Sequence, residues 1–208
     1  MKKKSGTNAK NKLILFIFLM CLLVVGGLVV YYQYMRKQQM QGMEKVPTTE
    51  AEKLIAKDME VGYPETPTEL LKLWGRINQC IYNTDLNDEE QEALFRQLRM
   101  MYSSELLEQN EESTHMKKFT DEVEEFQDNK YKIVNFSVDK GANVQYKTIN
   151  KSECADIHMY YFIKKSGKCI KNHQDFALIK EDDKWKVLGF QQSAKDEEVS
   201  EEEATGNN

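Results

Sequence analysis

Residues 13–32 read LILFIFLMCLLVVGGLVVYY, twenty consecutive positions without a charge. Lipid offers backbone groups no hydrogen-bond partners, so a run like this must be helical there. At about 1.5 Å per residue it spans about 30 Å, the thickness of the hydrocarbon core. Tyr31, Tyr32 and Tyr34 stand where an interfacial aromatic belt falls. We expect one transmembrane helix over residues 13–34. A basic tail (1–12) precedes it and a short polar stalk (35–46) follows. Lys2, Lys3, Lys4, Lys10 and Lys12 lie before the run; Arg36, Lys37 and Lys45 lie after it, diluted by Glu44. The lysine-rich side stays in the cytoplasm. Carrying those charges outward would cost roughly 2 kcal/mol each per 100 mV. The expected location is the cell membrane, N-terminus inside and the C-terminal domain outside. A cleaved signal peptide has an apolar core of about 7–15 residues and a small-residue cleavage site. Here the run is longer and Tyr-Tyr-Gln-Tyr-Met-Arg ends it. Met20 before Cys21 argues against a lipidated cysteine.

Charge divides the chain. Residues 1–40 hold seven of the 29 Lys+Arg and no acid, so residues 41–208 carry 22 basic and 34 acidic side chains, a net of −12. Such a surface repels nucleic acid. Residues 193–208 (SAKDEEVSEEEATGNN) hold six acids and almost nothing apolar. They are expected to form a disordered acidic tail. Between stalk and tail, residues 47–192 are 146 residues, an ordinary size for one hydrophobic core.

The first half of that domain, 47–129, reads as about four helices. Ala51, Leu54, Ile55 and Met59 recur on one face of the first. Thr66-Pro67-Thr68-Glu69 starts the second, with Thr66 as cap, Pro67 at the first helical position and Glu69 completing a capping box. Leu70, Leu73, Trp74, Ile77, Cys80 and Ile81 follow as an apolar stripe. The third begins near Asn87 and presents Leu94, Phe95, Leu98, Met101 and Tyr102. After a turn at Ser103-Ser104 the fourth carries Met116, Phe119, Val123 and Phe126.

The second half, 130–192, switches to period two. Strands are expected at 131–138, 143–149, 156–164, 171–180 and 185–192. Asp139-Lys140-Gly141, Asn150-Lys151-Ser152, Ser166-Gly167 and Glu181-Asp182-Asp183 turn the chain between them. The fold class is α+β, helices packed on one face of a curled five-stranded antiparallel meander.

The closing stretch FALIKEDDKWKVLGF resembles the nuclear-transport-factor-2-like (cystatin-like) superfamily, whose last hairpin sends a Trp into the core. The resemblance implies packing roles for Phe176, Leu178, Trp185, Val187 and Phe190. Many members place a helix between the first two strands; none is visible here. The whole chain also resembles single-pass membrane proteins of Firmicutes, in its lysine-rich start, membrane run and the segments 46–63 and 66–82. Neither resemblance selects a function.

The chemistry is sparse. His158 and His173 fall on neighbouring strands as diagonal neighbours, flanked by Asp156 and Asp175. A His pair plus a carboxylate can bind zinc, but two exposed strand histidines are the simpler account of the pattern. His115 falls near the start of a charged helix, at the surface. Outside the membrane run, Cys80, Cys154 and Cys169 are odd in number and cannot all pair within one molecule. The turn register does not set Cys154 opposite Cys169. No C-x-x-C, Gly-rich phosphate loop, G-x-S-x-G or H-E-x-x-H is present. Glu89-Glu90 and Glu124-Glu125 read as solvated helix faces. We therefore expect no catalytic or metal-binding residue, no cofactor and no enzyme activity. The leading expectation is a membrane-tethered protein-interaction module of a bacterial cell envelope. The alternative is a small-molecule binder or enzyme whose pocket lies between helices and sheet, lined by both apolar and titratable groups, with Trp74, His158 and His173 as the residues to look at.

Overall fold

The Thr66 hydroxyl accepts a hydrogen bond from the Glu69 backbone N–H at 3.2 Å, and Pro67 opens the helix behind it. The Glu69 carboxylate reaches back past Thr66 to the Glu65 N–H at 3.1 Å, so the expected capping box is one residue displaced. The computed structural model describes residues 47–206; the basic tail, the expected membrane helix and the stalk lie outside the described residues. Among the described residues no helix is long and apolar enough to cross a membrane.

The helices are α1 (Glu50–Ile55), α2 (Pro67–Asn83), α3 (Asp88–Arg99), α4 (Ser104–Gln109) and α5 (Glu112–Asp128), followed after the sheet by α6 (Glu201–Thr205). Reciprocal capping boxes start α1 (Thr49 with Glu52) and α3 (Asn87 with Glu90). The expected fourth helix is two. Asn110 ends α4 with its side chain on the Leu106 carbonyl, and the Glu111 carboxylate then caps α5 by accepting from Ser113 and Thr114 N–H. α5 ends in a Schellman motif. Lys130 is left-handed, its N–H bonds Gln127, and the Tyr131 N–H returns to Phe126, whose ring packs on Tyr131.

The strands are β1 (Lys132–Val138), β2 (Gln145–Ile149), β3 (Ser152–Lys165), β4 (Lys168–Glu181), β5 (Lys184–Gln192) and β6 (Glu197–Val199). Asn150-Lys151, Ser166-Gly167 and Asp182-Asp183 are two-residue turns with both residues at positive φ, the geometry that matches strand twist. The antiparallel sheet is curled and does not close.

The order is not the expected meander. β1 and β2 both pair with β3, β1 against its second half and β2 against its first. Asp139-Lys140-Gly141 therefore interrupts one edge rather than reversing the chain. A 3-10 turn, Gly141–Asn143, lifts the backbone out, and β2 rejoins the same side of β3. β5 and β6 repeat the arrangement on β4, interrupted by residues 193–196. Thus the long β3–β4 hairpin is the spine, flanked on each side by a broken strand.

The acidic tail, expected to be disordered, supplies β6 and α6. Its acids meet lysines of the hairpin tip: Glu198 with Lys168 at 2.7 Å, Glu203 with Lys171 at 3.5 Å, and Glu201 with Lys164. Ala204 is fully buried in a small cluster with Phe162 and Cys169, on the sheet face away from α1–α5.

The main core lies between the helical layer and the opposite face. Leu70, Leu71, Ile77, Ile81, Leu94, Leu98, Phe176, Leu178 and Val187 are all at or below 1% exposure. Each such side chain is worth about 1.5–3 kcal/mol over leaving it in water. The expected packing roles of Phe176, Leu178, Trp185 and Val187 are filled; Phe190 is instead 48% exposed.

Candidate functional site

Alternation along β3 sends Ile157, Met159, Tyr161 and Ile163 toward the helices, and Asp156, His158, Tyr160 and Phe162 away. Each face carries a candidate site.

On the outer face, His158 stands opposite Asp175 and His173 opposite Tyr160, so the histidines are the expected diagonal neighbours. His158 Nδ1 is 2.7 Å from Asp175 Oδ1, and its Nε2 is 3.0 Å from His173 Nδ1. The carboxylate is an obligate acceptor, so His158 donates from Nδ1. A neutral His158 then accepts from His173 Nδ1–H. His173 Nε2 is buried without a hydrogen bond, 3.8 Å from Glu197 Oε2 in the tail. The row borders an open trough of about 630 Å³ lined also by Asp139, Asp156, Gly189 and Gln191. Both nitrogens of His158 are committed to neighbours. Among the described residues no three His, Cys, Asp or Glu side chains are set to hold a metal. Neither imidazole is hydrogen-bonded to a Ser, Thr or Cys among them. Cys80, Cys154 and Cys169 are buried free thiols, and Cys154 pairs with Ile179, Cys169 with Lys164.

On the inner face a cleft of about 350 Å³ opens between the layers. α2 contributes Trp74, Asn78 and Tyr82; α5 contributes His115, Phe119, Glu122 and Phe126; Tyr102 comes from the α3–α4 link. β3 adds Tyr161, Ile163 and Lys165, β4 adds Asn172 and Gln174, and Phe190 of β5 stands at the rim. Trp74 organises the aromatic wall, stacked on Tyr102 at 5.5 Å and edge-on to Phe176 and Phe190 at 5.6 and 5.4 Å.

The Tyr161 hydroxyl is buried beside this cleft without a hydrogen-bond partner among the described residues. Asn78 and Trp74 are its nearest polar neighbours; Asn78 Nδ2 gives one of its two hydrogens to the Trp74 carbonyl at 2.9 Å, and neither side chain meets the Tyr161 oxygen in hydrogen-bond geometry. Burial holds the Tyr161 phenol well above its ordinary range, with Trp74 and Asn78 pulling the other way. Tyr82 is raised by burial and by Glu122, to which it donates at 2.6 Å. Tyr102 is pushed up to about 12 by burial, opposed by Arg99 and helped by Glu122. All three phenols are therefore neutral donors at physiological pH.

His115, expected at the surface, is half-buried against Phe95 at 5.0 Å and lines the cleft. Arg99 Nη1 lies 3.1 Å from its Nδ1. A guanidinium only donates, so His115 accepts there and carries its proton on Nε2. Burial first, then Arg99 and Lys118, lower its pKa, with Glu122 opposing. Sequence reasoning missed this residue. The signal was its spacing: 115, 119, 122 and 126 fall on one helical face.

Residues 1–190 match the model of a domain of unknown function, DUF6715, and the chain belongs to that family. No curated protein and no solved structure matches it.

Proposed function

We propose that this DUF6715 member is a small-molecule-binding domain carried on an N-terminal membrane anchor and displayed outside the cytoplasm. The anchor and its orientation rest on the apolar run 13–34 and the lysines before it. The binding role rests on the cleft, and within it on one observation: a buried phenol without a hydrogen-bond partner among the described residues. Leaving a buried hydroxyl unpaired costs about 1–3 kcal/mol. A ligand that hydrogen-bonds Tyr161 recovers that cost on binding. The lining of the cleft supports the reading, with aromatic side chains and convergent polar groups such as Asn78, Lys165 and Asn172 facing one space. The layered fold and the cleft fit the nuclear-transport-factor-2-like resemblance, which we retain as part of the proposal.

N-phenyl-1-naphthylamine tests the reading. Titrated into residues 47–208, a unit with its own core, it is expected to quench Trp74 saturably with one site per chain. Trp185→Phe leaves that signal in place. Quenching that never saturates would overturn the proposal.

A second reading, the protein-interaction module, is favoured by β2. All five of its residues are exposed, Tyr146 at 59% and Ile149 at 48%, and β3 is its one strand partner among the described residues. An unpaired edge of this kind accepts an added strand. Photocrosslinking from position 146 in intact cells is expected to give one discrete adduct; a featureless smear would remove this reading.

A further inference from the structure

The carboxylate of Asp196, in the link between β5 and β6, is held at the mouth of the cleft as a bound anion would be. Its Oδ1 accepts from Asn172 Nδ2 at 2.8 Å and from Gln192 Nε2 at 2.9 Å. Its Oδ2 faces Lys165 Nζ at 3.7 Å. Two of these partners, Lys165 and Asn172, line the cleft itself. A third cleft residue, Gln174, donates to Asn172 Oδ1 at 3.1 Å and so fixes its amide with the N–H₂ turned to Asp196. Two carboxamide donors, of which Gln192 Nε2 is shared with the Ala194 carbonyl at 3.0 Å, and an ammonium converge as a receptor for a single anionic head.

The occupant is replaceable. Asp196 and Lys165 side chains are each about one-third exposed, at 36% and 33%. Beyond Asp196 the tail is fastened by the three-row pairing of β6 with β4, by the small plug of Ala204, and by surface ion pairs, Lys168–Glu198, Lys164–Glu201 and Lys171–Glu203. Such pairs are individually weak. A ligand that takes the Asp196 position gains charge-assisted hydrogen bonds of the same kind and releases the hinge of the tail.

We propose that Asp196 is an internal stand-in for the head group of the cleft's ligand, and that the ligand is a free monoanionic amphiphile. Its apolar or aromatic body lies along Trp74 and Tyr161, and its carboxylate-like head displaces Asp196 from Lys165, Asn172 and Gln192. The tail is then an autoinhibitory strap whose docking competes with the ligand. A cleft of about 350 Å³ is at the small end of ligand pockets and admits one compact body rather than a two-chain lipid. This inference rests on the binding reading above and adds the ligand's charge and the competition with the tail.

Two probes of one shape separate the claims. 8-Anilinonaphthalene-1-sulfonate and N-phenyl-1-naphthylamine share a body, and the first carries an anionic head. With residues 47–208, Asp196→Asn is expected to shift the ratio of the two affinities about tenfold toward the anionic probe, equivalent to about 1.4 kcal/mol. Adding Lys165→Gln to that variant reverses the shift. Saturating anionic probe also speeds maleimide labelling of Cys169, which Ala204 covers, and the neutral probe does not. If both probes bind but Asp196→Asn leaves their ratio unchanged, the head-group assignment is overturned and the cleft stands. If neither probe binds the parent or Asp196→Asn, the binding reading itself is overturned. Asp196→Ala run beside Asp196→Asn guards against an effect of the introduced amide; a ratio shift in one variant alone overturns the assignment.

Discussion

Replacing Tyr161 by Phe should make this protein more stable. Loss of a side-chain oxygen usually destabilises, because it deletes a hydrogen bond worth about 0.5–1.5 kcal/mol. At Tyr161 the described residues offer no bond to delete: the oxygen is buried and has no partner among them, its ring packed 6.3 Å from Phe136. The folded state carries the desolvation cost of that hydroxyl, about 1–3 kcal/mol, which the unfolded chain does not. Phe keeps the ring, and the void left by one oxygen returns part of the gain. The expected net is about 1–2 kcal/mol of stabilisation, a rise in Tm of about 2–8 °C for a domain of this size. Tyr63 supplies the control. Its hydroxyl donates to the Trp185 carbonyl at 2.7 Å. Tyr63→Phe should therefore lose about 1 kcal/mol, the opposite sign from the same chemical change. Urea unfolding of residues 47–208, followed by circular dichroism with the slope m held as a check on cooperativity, reads both. A Tyr161→Phe variant less stable than its parent by 1 kcal/mol or more would refute the argument, since the hydroxyl would then have a partner. Ligand affinity should move against stability, falling in Tyr161→Phe.

Gly75 faces Phe136 so closely that an added Cβ would sit 2.5 Å from the ring carbons. Gly75→Ala should cost about 1–3 kcal/mol by overpacking, despite a helix preference of about 1 kcal/mol for Ala, and Phe136→Leu in the same chain should recover most of it by chemical denaturation. His115 has a folded pKa below its ordinary 6.5. The unfolded state therefore binds the proton more readily, and stability is lost as pH falls from about 6.5 through the folded pKa. Urea midpoints across that window should drop more steeply in the parent than in His115→Gln; parallel profiles would contradict the assignment. Ala204→Asp places a carboxylate in a fully buried site against Phe162 and Cys169. It should detach α6 and expose Cys169 to Ellman's reagent, and a thiol that stays protected would show that the tail is held by other means.

Local chemistry made much of the architecture legible. The caps at Thr66 and Asn87, the stripe Leu70 to Ile81 and the period-two run of β3 each state one element, and each forms. The pairing was less legible. Asp139-Lys140-Gly141 has the composition of a reversing turn, yet Lys140 is extended and a 3-10 turn follows, so the chain resumes the same edge. Composition reports that the strand stops, not whether the chain reverses. The tail misled for a related reason. A count of its acids says it cannot bury itself, but Lys164, Lys165, Lys168 and Lys171 await those acids some thirty residues earlier. Tyr160 and Tyr161 are adjacent and alike in sequence. Only strand phase sends one to the Lys171 ammonium, 4.5 Å from its ring, and the other into the cleft.

The paired spine also orders events in time. Every row of the β3–β4 hairpin closes outward from the Ser166-Gly167 turn, and each broken flank joins a strand nearby in the chain. Such short-range closures carry the least entropic cost and run fastest. The helices must instead find the sheet across long stretches of chain, as Tyr63 finds Trp185 and Gln79 finds Ile133. The sheet is thus expected to form ahead of the cleft, an order that φ-values in the hairpin and at the cleft would test. A molecule that binds a cleft formed last would prolong the lifetime of the native state by slowing unfolding and leave the rate of folding where it was.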